Sequence, residues 1–111
     1  MAIGELVVDW ISTTRGAGFI EAESFIKSLG GNAANVAIGL SRLGSRSSLL
    51  AKVGNDVQGR YLLKVLRDEG VDVENIITDS NYPTAQCYVF TTVDDDNTFL
   101  NWPSGNAAQR L

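Results

Sequence analysis

Two helical segments, each closed by a glycine and each standing behind a short apolar run, constrain this chain more than any other feature. Ala33 to Leu43 carries Val36, Leu40 and Leu43 at i, i+4 and i+7, with Ala33 and Ala37 beside them, which is the spacing of one helical face. Asn32 is placed to cap its start and Gly44 to stop it. Val57 to Glu69 repeats the design with Leu62, Val65, Leu66 and Glu69, capped by Asp56 and closed by Gly70. The runs Ile3 to Asp9 and Ser47 to Val53 are short and apolar, as buried strands are. Strand, helix, strand, helix predicts a parallel α/β sheet with right-handed crossovers. Between the first strand and the first helix, Ile11 to Leu29 offers the turn signal Gly16-Ala17-Gly18, whose flanks suit short strands.

The last third changes character. Gln86 to Val93 is β-branched and aromatic, Asp94-Asp95-Asp96-Asn97 is a polar turn, and Thr98 to Trp102 is again strand-like. This predicts an antiparallel hairpin, an accessory layer on the parallel part. The chain has 111 residues, enough for one modest core. Its net charge of −4 argues against nucleic acid or an anionic membrane as the main partner. A single cysteine, Cys87, and no histidine leave no intramolecular disulfide and no cysteine/histidine metal site. Cys87 is expected as a small buried hydrophobe on a strand. Glu5 and Asp9 interrupt the N-terminal apolar run, unlike a signal peptide, so the cytoplasm is the expected compartment.

In an open α/β sheet, ligands bind beyond the carboxyl ends of the strands. Asp9 is expected to end the first strand, Gly54-Asn55-Asp56 to end the strand after the first helix, and Gly30, Gly31 and Asn32 to open that helix at the same edge. Asp9, Gly31, Asn32, Asn35 and Asp56 are therefore candidates for one rim. An ionised aspartate accepts hydrogen bonds from two neighbouring hydroxyls, and an asparagine both donates and accepts. Paired glycines let a ligand approach the backbone. This set suits a polyol. Each residue also has a plainer role: Asp9 as a strand end, Asn32 and Asp56 as caps, Gly59 as a point of close helix packing. Asn35 is harder to explain that way, because asparagine is a poor interior helix residue. Gly16-Ala17-Gly18 has neither the spacing nor the lysine of a phosphate-binding loop, and Asp94 to Asp96 lacks the glycine and distal glutamate of a calcium loop.

Gly30-Gly31-Asn32-Ala33-Ala34-Asn35-Val36-Ala37, then Leu43-Gly44, then Val53-Gly54-Asn55-Asp56 and Gly59 resemble the N-terminal signature of the ribokinase-like (PfkB-type) carbohydrate kinases. Gly4-Glu5 with Asp9 and Thr84-Ala85 fit the same series. Gly39 to Gly44 and Thr98 to Asn106 are most similar to fructokinases. The resemblance implies the N-terminal part of a ribokinase-like α/β sandwich, a parallel sheet with flanking helices, plus a small β lid from segments near 11–29 and 84–102. It implies phosphorylation of a sugar by ATP with Mg²⁺, with Asp9, Gly30, Gly31, Asn32 and Asn35 lining the sugar pocket.

The family's catalytic aspartate lies in a C-terminal Gly-Ala-Gly-Asp-type motif that this sequence lacks. The chain is thus expected to be a truncated kinase without the ATP-binding and catalytic portion. It holds no catalytic, cofactor-binding or metal-ligating residue of its own, and a homodimer through the lid is one arrangement it allows. Nucleoside, ribose or 2-keto-3-deoxygluconate kinases share the scaffold, and a non-catalytic sugar-binding or subunit-pairing module is the reading from another class. A parallel sheet cut after a few strands is also expected to leave an open edge and bare apolar faces.

Overall fold

A computed structural model describes residues 1–92 and 97–111. The elements run β1 (Ala2–Ile3), β2 (Val7–Ser12), β3 (Phe25–Gly30), α1 (Asn32–Arg42), β4 (Leu49–Gly54), α2 (Val57–Asp68), β5 (Ile76–Asp79), β6 (Ala85–Thr91) and β7 (Asn97–Trp102), followed by a 3-10 turn (Ala107–Arg110). They form two sheets. A three-stranded sheet has the order β1-β4-β5 and is parallel throughout. A four-stranded sheet has the order β3-β2-β6-β7, with β2 and β6 parallel and the outer pairs antiparallel. The expected α/β architecture with an added β layer is therefore present. The expected hairpin is half of that layer, and its tip, Asp94 to Asp96, lies outside the described residues.

The expected first strand, Ile3 to Asp9, divides. Ala2 and Ile3 pair with β4, whereas Val7 onward pairs with β3 and β6. Gly4 is where the chain leaves one sheet for the other, and a Cβ there would come within 2.8 Å of the Ala33 Cβ. Asp9 thus sits in the middle of a strand of the second sheet, not at the end of a parallel strand. The strand Ile76–Asp79 has no counterpart in the sequence reading.

The core lies between the parallel sheet and the helices. Leu6, Val8, Ala34, Ala37, Leu49, Ala51, Val53, Leu62, Leu66 and Val71 form it, with Trp10, Leu29 and Tyr61 packed on its border. Each fully buried leucine contributes about 1.5–3 kcal/mol through the area it removes from water. Helix α2 behaves as its periodicity predicts, burying Leu62 and Leu66. Helix α1 does not. It buries Ala34 and Ala37, while Val36, Leu40 and Leu43 face outward, Leu43 with 84% of its surface exposed. The other face of the parallel sheet is also sparsely covered. Ile3 and Ile77 are exposed there, on the side opposite Ala2, Ala51 and Ile76 by strand alternation.

Candidate functional site

The chain crosses between the two sheets at four places: Gly4 to Leu6, Gly30–Gly31, the segment before Ala85, and the segment after Trp102. Where these crossings meet there is a cavity of about 450 Å³ bordered by Glu5, Val7, Asp9, Gly31, Asn32 and Asn35, and by Ala85, Cys87, Phe99, Asn101 and Asn106. The register of the second sheet explains the set. Asp9 lies opposite Ser28 on one side and Cys87 on the other, and Cys87 lies opposite Asn101. These four residues form one row across the sheet. The row beneath it, Gly30, Val7 and Ala85, is small, so the row of Asp9 has open space beside it.

The helix start completes the pocket. Gly31 stands at the N-cap position with φ 115° and ψ 130°, and no side chain caps the helix. The sequence placed Asn32 at that position. Asn32 is instead the first helical residue, and its side chain is exposed at the pocket edge. A Cβ on Gly31 would overlap the carbonyl oxygen of Glu5, so this glycine is required both by its left-handed backbone and by a backbone neighbour. Asn35 follows one turn later on the same side of the helix.

Gly30 is the exception among the expected pocket residues. It is buried and does not border the cavity. A Cβ on Gly30 would overlap the Asp9 carboxylate, so Gly30 makes room for Asp9, not for a ligand. Asp56 also departs from the expected rim. It is not at the pocket but caps α2, accepting the Gly59 N–H at 2.8 Å, as its plainer role foresaw.

The polar groups around the cavity divide into engaged and free ones. Asn106 donates to the Pro103 carbonyl at 2.9 Å and accepts the Gln109 N–H at 3.2 Å. Gln109 accepts the Gly105 N–H at 3.0 Å. Gln86, also at the border, accepts the Trp10 indole N–H at 2.9 Å. Among the described residues, the side chains of Asp9, Asn32, Asn35 and Asn101 have no protein partner. Burial, and then the nearby Glu5, raise the Asp9 carboxyl above its ordinary value. Burial and Asp9 likewise raise the Cys87 thiol, so Cys87 is the small, neutral wall the sequence suggested. Asn101 and Phe99 escaped the sequence reading. The alternation Phe99, Asn101 within the last strand was the available signal, but only the pairing with Cys87 shows which face it serves.

Among the described residues no lysine or arginine borders the cavity, whereas Glu5 and Asp9 both do. A phosphate there would be repelled by two carboxylates, whereas a neutral polyhydroxylated molecule would not. Among the described residues no group of three or more acidic or cysteine side chains could hold a metal ion. The lining of this cavity, with two carboxylates and no cation, does not fit the anionic phosphates of a nucleoside triphosphate. No helix among the described residues is long and apolar enough to cross a membrane.

The sequence matches the pfkB family carbohydrate kinase profile over residues 1–111. The chain belongs to the pfkB family of carbohydrate kinases. Among curated PfkB relatives it is similar to fructokinase-1 of Zea mays, 37% identical over all of this chain and 34% of the relative. It is similar also to fructokinase-1 of Oryza sativa subsp. japonica, 36% identical over the same shares. Among solved PfkB-type structures, a sugar kinase from Pyrococcus horikoshii superposes with a TM-score of 0.88 at 40% identity, covering 96% of this chain and 34% of that one. A structure of the same kinase holds ATP. The fructokinase of Halothermothrix orenii gives a TM-score of 0.84 at 32% identity, over 92% and 36%. The chain thus spans about a third of the length of the relatives it matches. The ribokinase-like fold expected from the sequence is the fold observed.

Proposed function

We propose that this chain is the sugar-binding third of an ATP-dependent, fructokinase-like sugar kinase. The observation that carries the reading is the convergence of four unengaged polar side chains, Asp9, Asn32, Asn35 and Asn101, on one pocket that contains carboxylates and no cation. An ionised Asp9 accepts from two adjacent hydroxyls of the sugar, and the carboxamides donate to and accept from the rest. The bare backbone at Gly31 lets the ring approach the helix start. The likeness to fructokinases supports fructose as the sugar, and a cytoplasmic setting goes with it.

ATP, when bound, supplies the transferred phosphoryl group, and Mg²⁺ its charge neutralisation. Both fall to residues other than those described here, since the pocket repels phosphate. The task of this chain is to bind and orient the acceptor and, through the four-stranded sheet acting as a lid, to exclude water that would compete for the phosphoryl group. A homodimer through that lid belongs to the same proposal. The row of Ile26, Ile11, Val89 and Phe99, beside the polar row of Asp9, is apolar, and Ile26 and Phe99 are more than 60% exposed.

The test is calorimetric titration of the chain with fructose, fructose 6-phosphate and adenosine. Fructose is expected to bind and fructose 6-phosphate to bind far more weakly. Asp9→Ala is expected to weaken fructose binding about 100-fold, the loss of hydrogen bonds to a charged acceptor. Tight binding of adenosine in place of fructose would move the chain to the nucleoside kinases, and an unchanged fructose affinity in Asp9→Ala would refute the role of Asp9.

A further inference from the structure

We propose that Thr84 and Asp56 are positioning residues of the polyol pocket: together they clasp the root of β6 to the helix-bearing layer and so set the pocket wall. The inference rests on the sugar-binding reading above only for its affinity readout. Of the four crossings between the sheets, the first two run so close to their neighbours that a Cβ on Gly4 would meet the Ala33 side chain and one on Gly31 the Glu5 carbonyl oxygen. The third, which leads into Ala85, is held differently.

Thr84 is fully buried. Its hydroxyl donates to Asp56 Oδ1 at 2.6 Å and accepts the Gly54 N–H at 2.9 Å, while its own N–H donates to Asp56 Oδ2 at 2.9 Å. Asp56 Oδ1 also accepts the Gly59 N–H. Capping α2 needs only that last bond. The second carboxylate oxygen serves the lid strand alone.

The surrounding residues are fitted to the clasp. A Cβ on Gly54 would stand 2.6 Å from the Thr84 nitrogen and 2.7 Å from Asp56 Oδ2, and one on Gly59 would overlap the Gly54 carbonyl oxygen. Burial pushes the Asp56 carboxyl up, but the bonds from Thr84 and Gly59 and the charge of Arg60 outweigh it and hold it below its usual value. The clasp is therefore ionised at neutral pH.

Its reach into the pocket is short. Ala85, the next residue, and Cys87 border the cavity on the same face of β6. The fourth crossing is tied to the same point, because the Ala107 N–H donates to the Pro83 carbonyl at 2.7 Å, and Asn106 beside it borders the cavity too. One buried hydrogen-bonded centre thus places two sides of the pocket without touching its contents.

Thr84→Val removes the hydroxyl and keeps the shape, and it leaves Asp56 free to cap α2. Hydrogen exchange of the unliganded chain is expected to rise about tenfold across 85–91 and 97–102 relative to α1, with fructose affinity down by a similar factor, the effect of losing buried hydrogen bonds. Thr84→Ser is expected to restore both. If Thr84→Val does not fold, Asp56→Asn replaces it, since a carboxamide keeps the acceptor for Gly59 and the Thr84 hydroxyl and loses only the acceptor for the Thr84 N–H; the same lid-specific pattern is expected. An unchanged lid, or exchange that rises equally in α1 and the lid, would overturn the proposal. A wild-type chain that binds no fructose would refute the function proposed above, and the clasp would then be judged by the exchange pattern alone.

Discussion

Gly30 and Gly31 are neighbours, and replacing each by alanine is expected to break a different property. At Gly31 the backbone has φ 115°, and a Cβ would overlap the Glu5 carbonyl oxygen. Both obstacles are backbone, so nothing can swing aside. The strained conformation costs about 1–3 kcal/mol and forcing an atom into a filled space about 1–3 kcal/mol more. The sum, about 2–6 kcal/mol, is a large share of the ~5–15 kcal/mol that holds a small domain folded. Gly31→Ala should therefore melt at least ~10 °C below wild type.

Gly30 is not in the left-handed region, and the three atoms nearest its added Cβ all belong to the Asp9 side chain. That carboxylate has no described partner and sits beside Glu5, which already disfavours its charge, so it can rotate away at little cost. What is lost is its position. Two hydroxyl hydrogen bonds to a charged acceptor are each worth about 1.5–3 kcal/mol, so Gly30→Ala should keep its melting temperature and lose at least ~100-fold in fructose affinity. Thermal denaturation and calorimetry on the pair decide the matter. A Gly30→Ala chain that binds fructose like wild type would show that Asp9 does not work from where it stands. A Gly31→Ala chain that melts with wild type would defeat the backbone argument.

Two further outcomes follow from the same structure. The folded pKa of Asp9 is raised above its unfolded value of about 3.9, so the folded state holds that proton more tightly and stability falls as pH rises through this window; Asp9→Asn should flatten the fall and melt above wild type at pH 7, and a lower melting temperature at pH 7 would contradict the shift. The outward Leu43 and Ile77 should make the chain bind an apolar dye and self-associate in sedimentation, and Leu43→Glu with Ile77→Lys should reduce both; a wild-type chain that is monomeric and dye-silent would show those faces to be harmless.

Most of the site was legible because its residues carry unusual local demands. Asn35 inside a helix has no evident structural reason, and the doubled glycine before it answers to close contacts at the pocket, Gly31 against the Glu5 carbonyl and Gly30 against the Asp9 carboxylate. Asp9 was found for a partly wrong reason. Ile3 to Asp9 has the look of one strand, and nothing local shows that Gly4 hands the chain from one sheet to another. Asn101 and Phe99 were missed because which face of a strand meets a ligand is decided by its partners, and β7 has its partner Cys87 fourteen residues away. Ile76–Asp79 was missed for a related reason. It is an edge strand of four residues, too short for periodicity to register.

Helix α1 is apolar on two sides. Its inner side uses alanines, Ala34 and Ala37, because β1 and Leu6 pass close beneath it, as the contact between Gly4 and Ala33 shows. Its outer side carries the larger Val36, Leu40 and Leu43. Size alone made the outer stripe look like the core face, yet burial goes to whichever side the backbone geometry admits, and here only small residues fit. An apolar helix face is normally packed against a partner, and a parallel sheet is normally covered on both faces. Helix α1 and the Ile3–Ile77 face break these two rules independently, and both are met if further polypeptide packs on them. The apolar side chains left bare on these two faces, Val36, Leu40 and Leu43 on the helix and Ile3 and Ile77 on the sheet, are not among those that border the pocket, so polypeptide packed on them would leave the pocket's polar groups free for a sugar.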